Sequence, residues 1–325
     1  MAVQLSPLVH IELTVPDADK ACQFLQDAFG AEKVQEEFAD FLDGENARVI
    51  HVGLGDVVLQ FIQPKTAAGS WYDQLQQKGP GVHNLTYVVD SMADTLKALE
   101  EEDVTPLFSF PLNWEELLGE DNVKPDTPPV YMIDSMDRIG FHLELAESPA
   151  KEASIAPVAT IPAAPLGRVS PMLHIELTTA DAEETYRFLH KVFGSEKVEL
   201  KFANFLDSAF MKVVHVNLGD VVLQYCQPLM EQGSWYEQLK ANGPGVHNIT
   251  FLVEDMEETM AAINQAGAED LFAFSLDWGE LLGTDNIRVD TPPVHMVDTM
   301  GTLGFHLELS ERPAENLADI LFKEI

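Results

Sequence analysis

The sequence contains few cysteines and few basic residues, and both shortages exclude classes of protein. Only two cysteines, Cys22 and Cys226, occur in 325 residues. They provide no disulfide framework, so we expect a reducing, cytoplasmic compartment. Lysine and arginine total 19 against 54 aspartates and glutamates, which gives a formal net charge of −35. Because such a field repels polyanions, we expect neither nucleic acid nor membrane as a partner.

Long apolar runs are also missing. The apolar stretches fall far short of the roughly 20 residues that a membrane-spanning helix needs. The first residues, MAVQLSPLVH, lack the basic and apolar regions of a secretory signal. The length suits two domains. An Ala/Pro-rich linker is predicted at 148–168, between domains at 1–147 and 169–325, and the last residues, Glu315–Ile325, have the pattern of an amphipathic helix.

The two domains repeat each other, and the repeat includes their histidines. His10 recurs 164 residues later as His174, and the same offset relates eight of the ten histidines. The pairs are His10/His174, His51/His215, His83/His247 and His142/His306. A hydrophobic core repeats its apolar pattern readily but has little reason to repeat imidazoles. The repeated histidines therefore indicate function.

Each half contains the same order of predicted elements twice: a strand, a helix and further strands. In the first half, the first set consists of a strand at 8–14, a helix from Asp17 to Gly30, strands near 47–53 and 57–63, and a short helix at 71–77. The second set consists of a strand at 82–88, a helix at 91–102, and strands at 106–110, 130–134 and 140–146. This order predicts an α+β fold.

Residues two apart on a strand share a face. Strict alternation therefore places His10 with Glu12, His83 with Leu85 and Tyr87, and His142 with Glu144. If the strand faces converge, one pocket receives His10, Gln60, His83 and Glu144, with Glu12, His51 and His142 at its floor or rim. Two imidazoles, a carboxylate and an amide oxygen suit a divalent metal ion such as Zn, Co, Ni, Mn or Fe.

These residues carry a resemblance to a known family. The stretches VVLQFIQP and SWYDQLQQKGPGVHNLTYVV, their second-half counterparts, and the HIEL and GFHLEL strands resemble the vicinal-oxygen-chelate superfamily of glyoxalases, bleomycin-resistance proteins and extradiol dioxygenases. Within it they look most like methylmalonyl-CoA epimerases. The resemblance implies tandem domains, each of two βαβββ modules forming a cup-shaped mixed β-sheet. Whether modules pair within one half or across the halves stays open.

The resemblance also implies the metal ligands, up to two ions per chain, and a proton-moving carboxylate. The ligand sets are His10, Gln60, His83 and Glu144, and His174, Gln224, His247 and Glu308. The epimerases carry a glutamate base near the positions of Ala47 and Met211, where this sequence has none; Glu45 is close, but its counterpart is Ala209. Besides Glu144 and Glu308, the candidate acid–base groups are Glu12, Glu176, His51 and His215, with ligand orientation as the alternative role of these four.

A second departure is a long segment between strands, Phe110–Pro129, which recurs at Phe274–Pro293. Trp114, Leu117 and Leu118 have counterparts in the second half, so disorder is not expected. The segment is interpreted as a lid or pocket wall, or as a packed loop over a sheet edge. Trp71 and Trp235 are candidates for the same wall.

Three functions fit this sequence. The first is a metal-dependent isomerase, epimerase or glyoxalase-like lyase, in which the metal stabilises an enolate of a small-molecule carbonyl substrate while a base shifts a proton. The second is a non-haem Fe(II) dioxygenase, acting on an aromatic ring or a 2-oxoacid, with His10, His83 and Glu144 as its facial triad. The third is a small-molecule binding or resistance protein. Homo-oligomerisation is compatible with each.

Overall fold

A computed structural model describes residues 2–34, 43–115, 120–124, 126–149, 167–198, 208–279, 287–288 and 290–313. Most of the predicted linker, the C-terminal helix at Glu315–Ile325 and the Leu117-Leu118 pair lie outside these ranges. Predictions about these three segments stay predictions. In the described ranges, no helix combines the length and the apolar character needed to cross a bilayer.

The first half begins and ends its elements close to the predicted positions. Its elements are β1 (His10–Thr14), α1 (Ala18–Phe29), β2 (Glu32–Lys33), β3 (Ala47–Leu54), β4 (Val57–Pro64), α2 (Ser70–Gln77), β5 (Gly81–Val89), α3 (Met92–Glu100), β6 (Pro106–Phe110), β7 (Val130–Ile133), α4 (Met136–Ile139) and β8 (His142–Glu147). Helix α1 starts where the Asp17 carboxylate accepts from the Lys20 amide, and ends at Gly30 in the left-handed conformation, φ 69°.

The second half repeats this order. Its elements are β9 (His174–Thr178), α5 (Ala182–Phe193), β10 (Met211–Leu218), β11 (Val221–Pro228), α6 (Ser234–Asn242), β12 (Gly245–Val253), α7 (Met256–Gln265), β13 (Glu269–Phe274), β14 (Val294–Asp298), α8 (Met300–Leu303) and β15 (His306–Glu311). In the described part of the second half, a single bridge between Lys197 and Val216 stands in place of β2.

Each half builds one mixed sheet. The strand orders are β2-β3-β4-β1-β5-β8-β7-β6 and β10-β11-β9-β12-β15-β14-β13. The central pair β1 and β5 is antiparallel, while β1 runs parallel to β4 and β5 runs parallel to β8. The two βαβββ modules of a half therefore join through their first strands within that half. The predicted α+β fold of tandem module pairs is confirmed.

The two faces of each sheet have different chemistry because strand side chains alternate. One face of the first sheet carries Ile11, Leu59, Leu85 and Leu143, all fully buried, in a single core that also contains residues of the second half. The opposite face carries polar side chains, most of them buried. We call it the polar face, defined in the first sheet by His10, Glu12, His51, Gln60, Thr86 and Glu144, and in the second by His174, Glu176, His215, Gln224, Thr250 and Glu308.

Reciprocal hydrogen bonds join the halves beside this core. The Leu8 amide donates to Asp220 Oδ1 at 2.8 Å, and the Met172 amide donates to Asp56 Oδ1 at 2.7 Å. The two bonds exchange equivalent positions of the repeat, so the halves meet about an approximate two-fold axis.

Glycine is required at the same contact. Gly55 and Gly219 have φ of 60°, and a Cβ built there would lie 2.4 Å from the Ser170 carbonyl oxygen and 2.8 Å from that of Ser6, respectively. Any side chain would therefore meet backbone of the other half.

Candidate metal centres

The predicted ligands lie on four neighbouring central strands of each sheet, β4, β1, β5 and β8 in the first and β11, β9, β12 and β15 in the second. They are Gln60, His10, His83 and Glu144 in the first sheet, and Gln224, His174, His247 and Glu308 in the second. The imidazoles and amides of both sets are at least nine-tenths buried. Each sheet therefore brings its predicted ligands together on the polar face of its central strands.

Cross-strand pairing arranges the first polar face in two rows. One row runs His51–Gln60–Glu12–Asn84–His142 across five strands. The neighbouring row runs His10–Thr86–Glu144–Met132 across four strands. Glu12 is at the middle of its row, so it lies deeper in the site than a rim position.

The prediction that Leu85 and Tyr87 share a face with His83 is wrong. The pairing of β5 with β1 shifts register between Glu12 and Leu13, and His83 is the extra residue of a β-bulge. Leu85 and Tyr87 face the core, whereas the His83 ring lies on the polar face with Nδ1 3.1 Å from Glu12 Oε1. The bulge also turns Asn84 and Thr86 to the polar face, where the Thr86 hydroxyl lies 2.9 Å from His10 Nε2.

Three groups come together on the second polar face. Ligand atoms of His174, Glu176 and Glu308 all lie within 4.8 Å of one another. His174 and Glu308 were predicted as ligands, and Glu176 as an acid–base group. The cluster therefore draws the second carboxylate into the metal-binding set.

Glu176 is the centre of a hydrogen-bond network on this face. The Trp235 indole and the Gln224 amide both donate to its carboxylate. The Gln224 oxygen in turn lies 2.7 Å from His215 Nε2. Asn248 Nδ2 donates to Glu308 Oε2 at 3.1 Å. These bonds fix the orientation of both carboxylates of the cluster.

Glu12 is held by the equivalent indole. Trp71 Nε1 donates to Glu12 Oε1 at 2.6 Å, reaching across the face from helix α2. The rest of the Trp71 ring packs on Ala47, Val49 and Ile62. Trp71 and Trp235 thus both cover the polar face and bind its central carboxylate.

Burial raises the pKa values of these carboxyl groups. Burial and the charge of Glu12 raise the pKa of Glu144 to about 8, against a hydrogen bond from Thr86 that lowers it. Burial and the charge of Glu176 likewise raise the pKa of Glu308 to about 8. The pKa of Glu176 rises to about 7 because burial outweighs its bonds from Trp235, Cys226 and Gln224. These carboxyl groups can exchange a proton near neutral pH.

The histidines on the same faces are shifted in the opposite direction. Burial, with the neighbouring imidazole adding to it, lowers the pKa of His10 and of His174 to about 3. Burial lowers the pKa of His51, His215 and His247 to about 4. These rings are neutral at physiological pH, which is the form that binds a metal ion.

Unpartnered atoms on the polar faces fit a bound cation. Gln60 Oε1 and Nε2, His83 Nε2 and His247 Nε2 are buried without a hydrogen-bond partner. An unpaired buried polar atom costs about 1–3 kcal/mol, so such atoms indicate a missing ligand or ion. Imidazole nitrogens with carboxylate and amide oxygens form a donor set for a borderline divalent ion.

The positions near the epimerase-type base carry no acid. Ala47 is buried in the contact with Trp71, and Glu45 is exposed. Neither supplies a carboxylate to the polar face, so the acidic groups there come from the middle strands instead.

The segment after β6 packs on the outer part of the first polar face. Trp114 and Val123 form a small cluster with Val130 and Ala146, which belong to β7 and β8. Ala146 follows Glu144 on the same face of β8. The described part of this segment therefore closes the polar face beside the carboxylate of Glu144.

Asn84 and Thr86, with Asn248 and Thr250, are site residues that the sequence reasoning missed. Both types recur at the repeat offset, which was the available signal. Strict alternation puts Asn84 and Thr86 on the face opposite to His83, because the residue types do not reveal the bulge. Cys226 is a further site residue, since it hydrogen-bonds to Glu176.

Two mixed sheets, each built from a pair of βαβββ modules and each carrying imidazole, carboxylate and amide side chains on one face, define the class of fold. The model of the Glyoxalase/Bleomycin resistance protein/Dioxygenase superfamily matches residues 9–111 and again 173–274. These matches cover more than half of the chain, and the chain belongs to this superfamily.

Solved structures similar to this chain include a synthase, a glyoxalase and a dioxygenase. A mutant of 4-hydroxymandelate synthase from Streptomyces coelicolor has a TM-score of 0.60 at 16% identity, over 98% of this chain and 97% of that one. The Mn(II)-bound glyoxalase from Novosphingobium aromaticivorans has a TM-score of 0.53 at 15% identity, over 95% and 83%. The halotolerant catechol dioxygenase BphC has a TM-score of 0.54 at 9% identity, over 96% and 88%. At these identities the likeness concerns the fold.

One curated sequence relative is the uncharacterized protein YqjC of Bacillus subtilis (strain 168). It is 25% identical over 107 residues, which is 33% of this chain and 74% of that protein. The matched stretch is shorter than one half of this chain.

Proposed function

We propose that this protein is a divalent-metal-dependent isomerase, epimerase or glyoxalase-like lyase that moves a proton next to the carbonyl of a small molecule. The observation that carries the proposal is the pair of carboxyl groups on each polar face, buried Glu12 with half-buried Glu144 and buried Glu176 with half-buried Glu308. Burial and mutual repulsion raise the pKa values of Glu144 and Glu308 to about 8, which is suitable for proton transfer at neutral pH.

The ion would be held by the side chains already described. Glu176 joins His174 and Glu308 in the second set, and Glu12 is the equivalent residue of the first. Gln60, Gln224, His83 and His247 complete the two sets, giving up to two ions per chain. A bound divalent ion, whether Zn, Co, Ni, Mn or Fe, would polarise the substrate carbonyl and stabilise enolate charge.

The protein's own groups would handle the proton. Like charges in such a pair resist joint ionisation, so each pair would hold about one proton near neutral pH in the metal-free protein. With an ion bound, that proton would be displaced; one carboxylate of each pair would remain a ligand, and the other would accept the substrate's α-proton and return it. The indole donors Trp71 and Trp235 hold Glu12 and Glu176 in one orientation during this exchange.

The same geometry disfavours a non-haem iron dioxygenase. The facial triad of those enzymes contains two imidazoles and one carboxylate. On the second face, Glu176 brings a second carboxylate within 4.8 Å of His174 and Glu308, and a facial triad has no place for that carboxylate. The comparisons include dioxygenases, but at identities that concern the fold.

Metal content and α-proton exchange together test the proposal. When the protein is purified without a metal-chelating tag, we expect about two equivalents of an air-stable divalent ion per chain. We expect proton NMR in D2O to show metal-dependent loss of the α-proton of small α-oxygenated carbonyl compounds. The double variant Glu144→Gln/Glu308→Gln should lose the exchange, while the exposed control Glu257→Gln should retain it.

Other results would contradict the proposal. Bound iron that oxidises in air, with substrate-dependent oxygen consumption, would identify a dioxygenase instead. Failure to bind any divalent ion after reconstitution would contradict both enzyme functions and favour a binding protein. Exchange that survives the double variant would remove these carboxyl groups from the chemistry.

A further inference from the structure

The two polar faces differ at one position next to the central carboxylate. Cys226 follows Gln224 by two residues on β11, is 1% exposed, and has its Sγ 3.6 Å from Gln224 Nε2. Its thiol also hydrogen-bonds to Glu176. At the equivalent place of the first face, Ile62 packs against Ala47 and Val49. A sulfur atom therefore borders the second candidate centre and is replaced by a hydrocarbon at the first.

The thiol lies beside a cluster that independently suits a cation. His174, Glu176 and Glu308 bring their ligand atoms within 4.8 Å of one another. His247 Nε2 is buried on the same face without a hydrogen-bond partner. The cysteine thus places a sulfur atom beside a group of nitrogen and oxygen donors.

We propose that the second polar face binds thiophilic divalent ions in preference to the first, with the Cys226 sulfur as an additional ligand. The inference rests on the proposed metal-dependent function. Thiolate ligands favour Zn²⁺, Cd²⁺ and Co²⁺, whereas a set of nitrogen and oxygen donors, as on the first face, also suits Mn²⁺. A coordinated thiol gives up its proton to solvent as the metal–sulfur bond forms. The two centres of one chain then fill with different ions from a mixture.

Cobalt and cadmium titrations of the metal-free full chain test this directly. Cobalt bound to a thiolate has an intense near-ultraviolet charge-transfer absorption that nitrogen and oxygen ligands do not give. We expect this absorption from one of the two bound cobalt ions. Competition between Cd²⁺ and Mn²⁺, followed by elemental analysis, should show two sites whose Cd²⁺ preferences differ by at least about ten-fold.

The repeat provides matched variants. Cys226→Ile gives the second face the residue of the first and should abolish both the absorption and the difference between sites. Ile62→Cys should add a second sulfur-bound cobalt. Cys22→Ser, at a buried cysteine on α1, should change neither. Cys226→Ser keeps the side-chain size and should also lose the absorption, so a folding defect in one variant leaves the test intact.

The outcomes separate this inference from the proposed function. Two bound ions without sulfur absorption, and with competition unchanged in Cys226→Ile, would overturn the inference and leave the metal-dependent function standing. No bound ion in any variant would overturn both.

Discussion

The raised pKa values of Glu144 and Glu308 predict that these two groups contribute less to the stability of the metal-free protein at pH 8 than at pH 6.5. For Glu144 and Glu308, the folded-state pKa is about 8, far above that of an unfolded glutamate. Between those two values the folded state holds a proton that the unfolded state has released. Stability therefore falls as pH rises, by about 1.4 kcal/mol per pH unit for each such proton.

The magnitude is measured as a difference between variants that share the same histidines, because unfolded histidines still titrate near pH 6.5 and contribute to the pH dependence just above it. From pH 6.5 to pH 8, about 1.5 units, one carboxyl group with a folded-state pKa of about 8 accounts for a decline of roughly 2 kcal/mol. Glu308→Gln, which carries no charge to bury, should remove about that much of the decline.

Urea denaturation of the metal-free chain at pH 6.5 and pH 8 is the assay. We expect the free energy of unfolding of Glu308→Gln to exceed that of the unsubstituted protein at pH 8 and to differ less at pH 6.5. The exposed Glu257→Gln is the charge-matched control and should follow the unsubstituted protein. An equal pH dependence in Glu308→Gln and the control would refute a raised pKa at this site.

Three further predictions concern other parts of the structure. Gly55→Ala should destabilise the protein by well over the roughly 1–2 kcal/mol that the positive φ alone costs in Gly30→Ala. A Cβ at Gly55 would meet the Ser170 backbone, whereas Gly30 has open space around it. Equal losses of unfolding free energy in the two variants, measured by urea denaturation, would contradict this contact. Trp235→Phe removes a hydrogen-bond donor that lowers the pKa of Glu176. The pH midpoint of divalent-ion binding should therefore rise by about one unit. An unchanged midpoint in metal titrations would show that the indole does not hold the carboxylate. The buried histidines have lowered pKa values and are neutral when folded, so stability should also fall as the pH drops from about 6.5 towards 4; circular dichroism during acid titration would show no transition in that range if they were already charged.

The sequence predicted most of the fold because its signals are local. Alternation located the strands, and the Asp17 cap and Gly30 located the ends of α1. The pairing of modules within each half depends on contacts between distant segments. The predicted linker was long enough for pairing within a half or across the halves. The choice between them therefore depends on packing between segments, which no single segment encodes.

The candidate site was predicted in part for the same reason. His10 and Glu144 lie on regularly alternating strands, and their faces followed from counting. The bulge at His83 inserts one residue into that count and reverses the face of every residue before it relative to those after it. The roles of Asn84 and Thr86 therefore required the strand pairing, which the residue types alone do not specify.

The reciprocal contact between the halves has a consequence for how such a chain arises. Equivalent positions supply both sides, as Leu8 with Asp220 and Met172 with Asp56. A patch that matches its own repeat is self-complementary, which is the property of an isologous dimer interface. A single half thus carries the surface needed to associate with a second copy of itself. Fusing two copies in one chain frees their polar faces to diverge, since each can change without imposing the same change on the other.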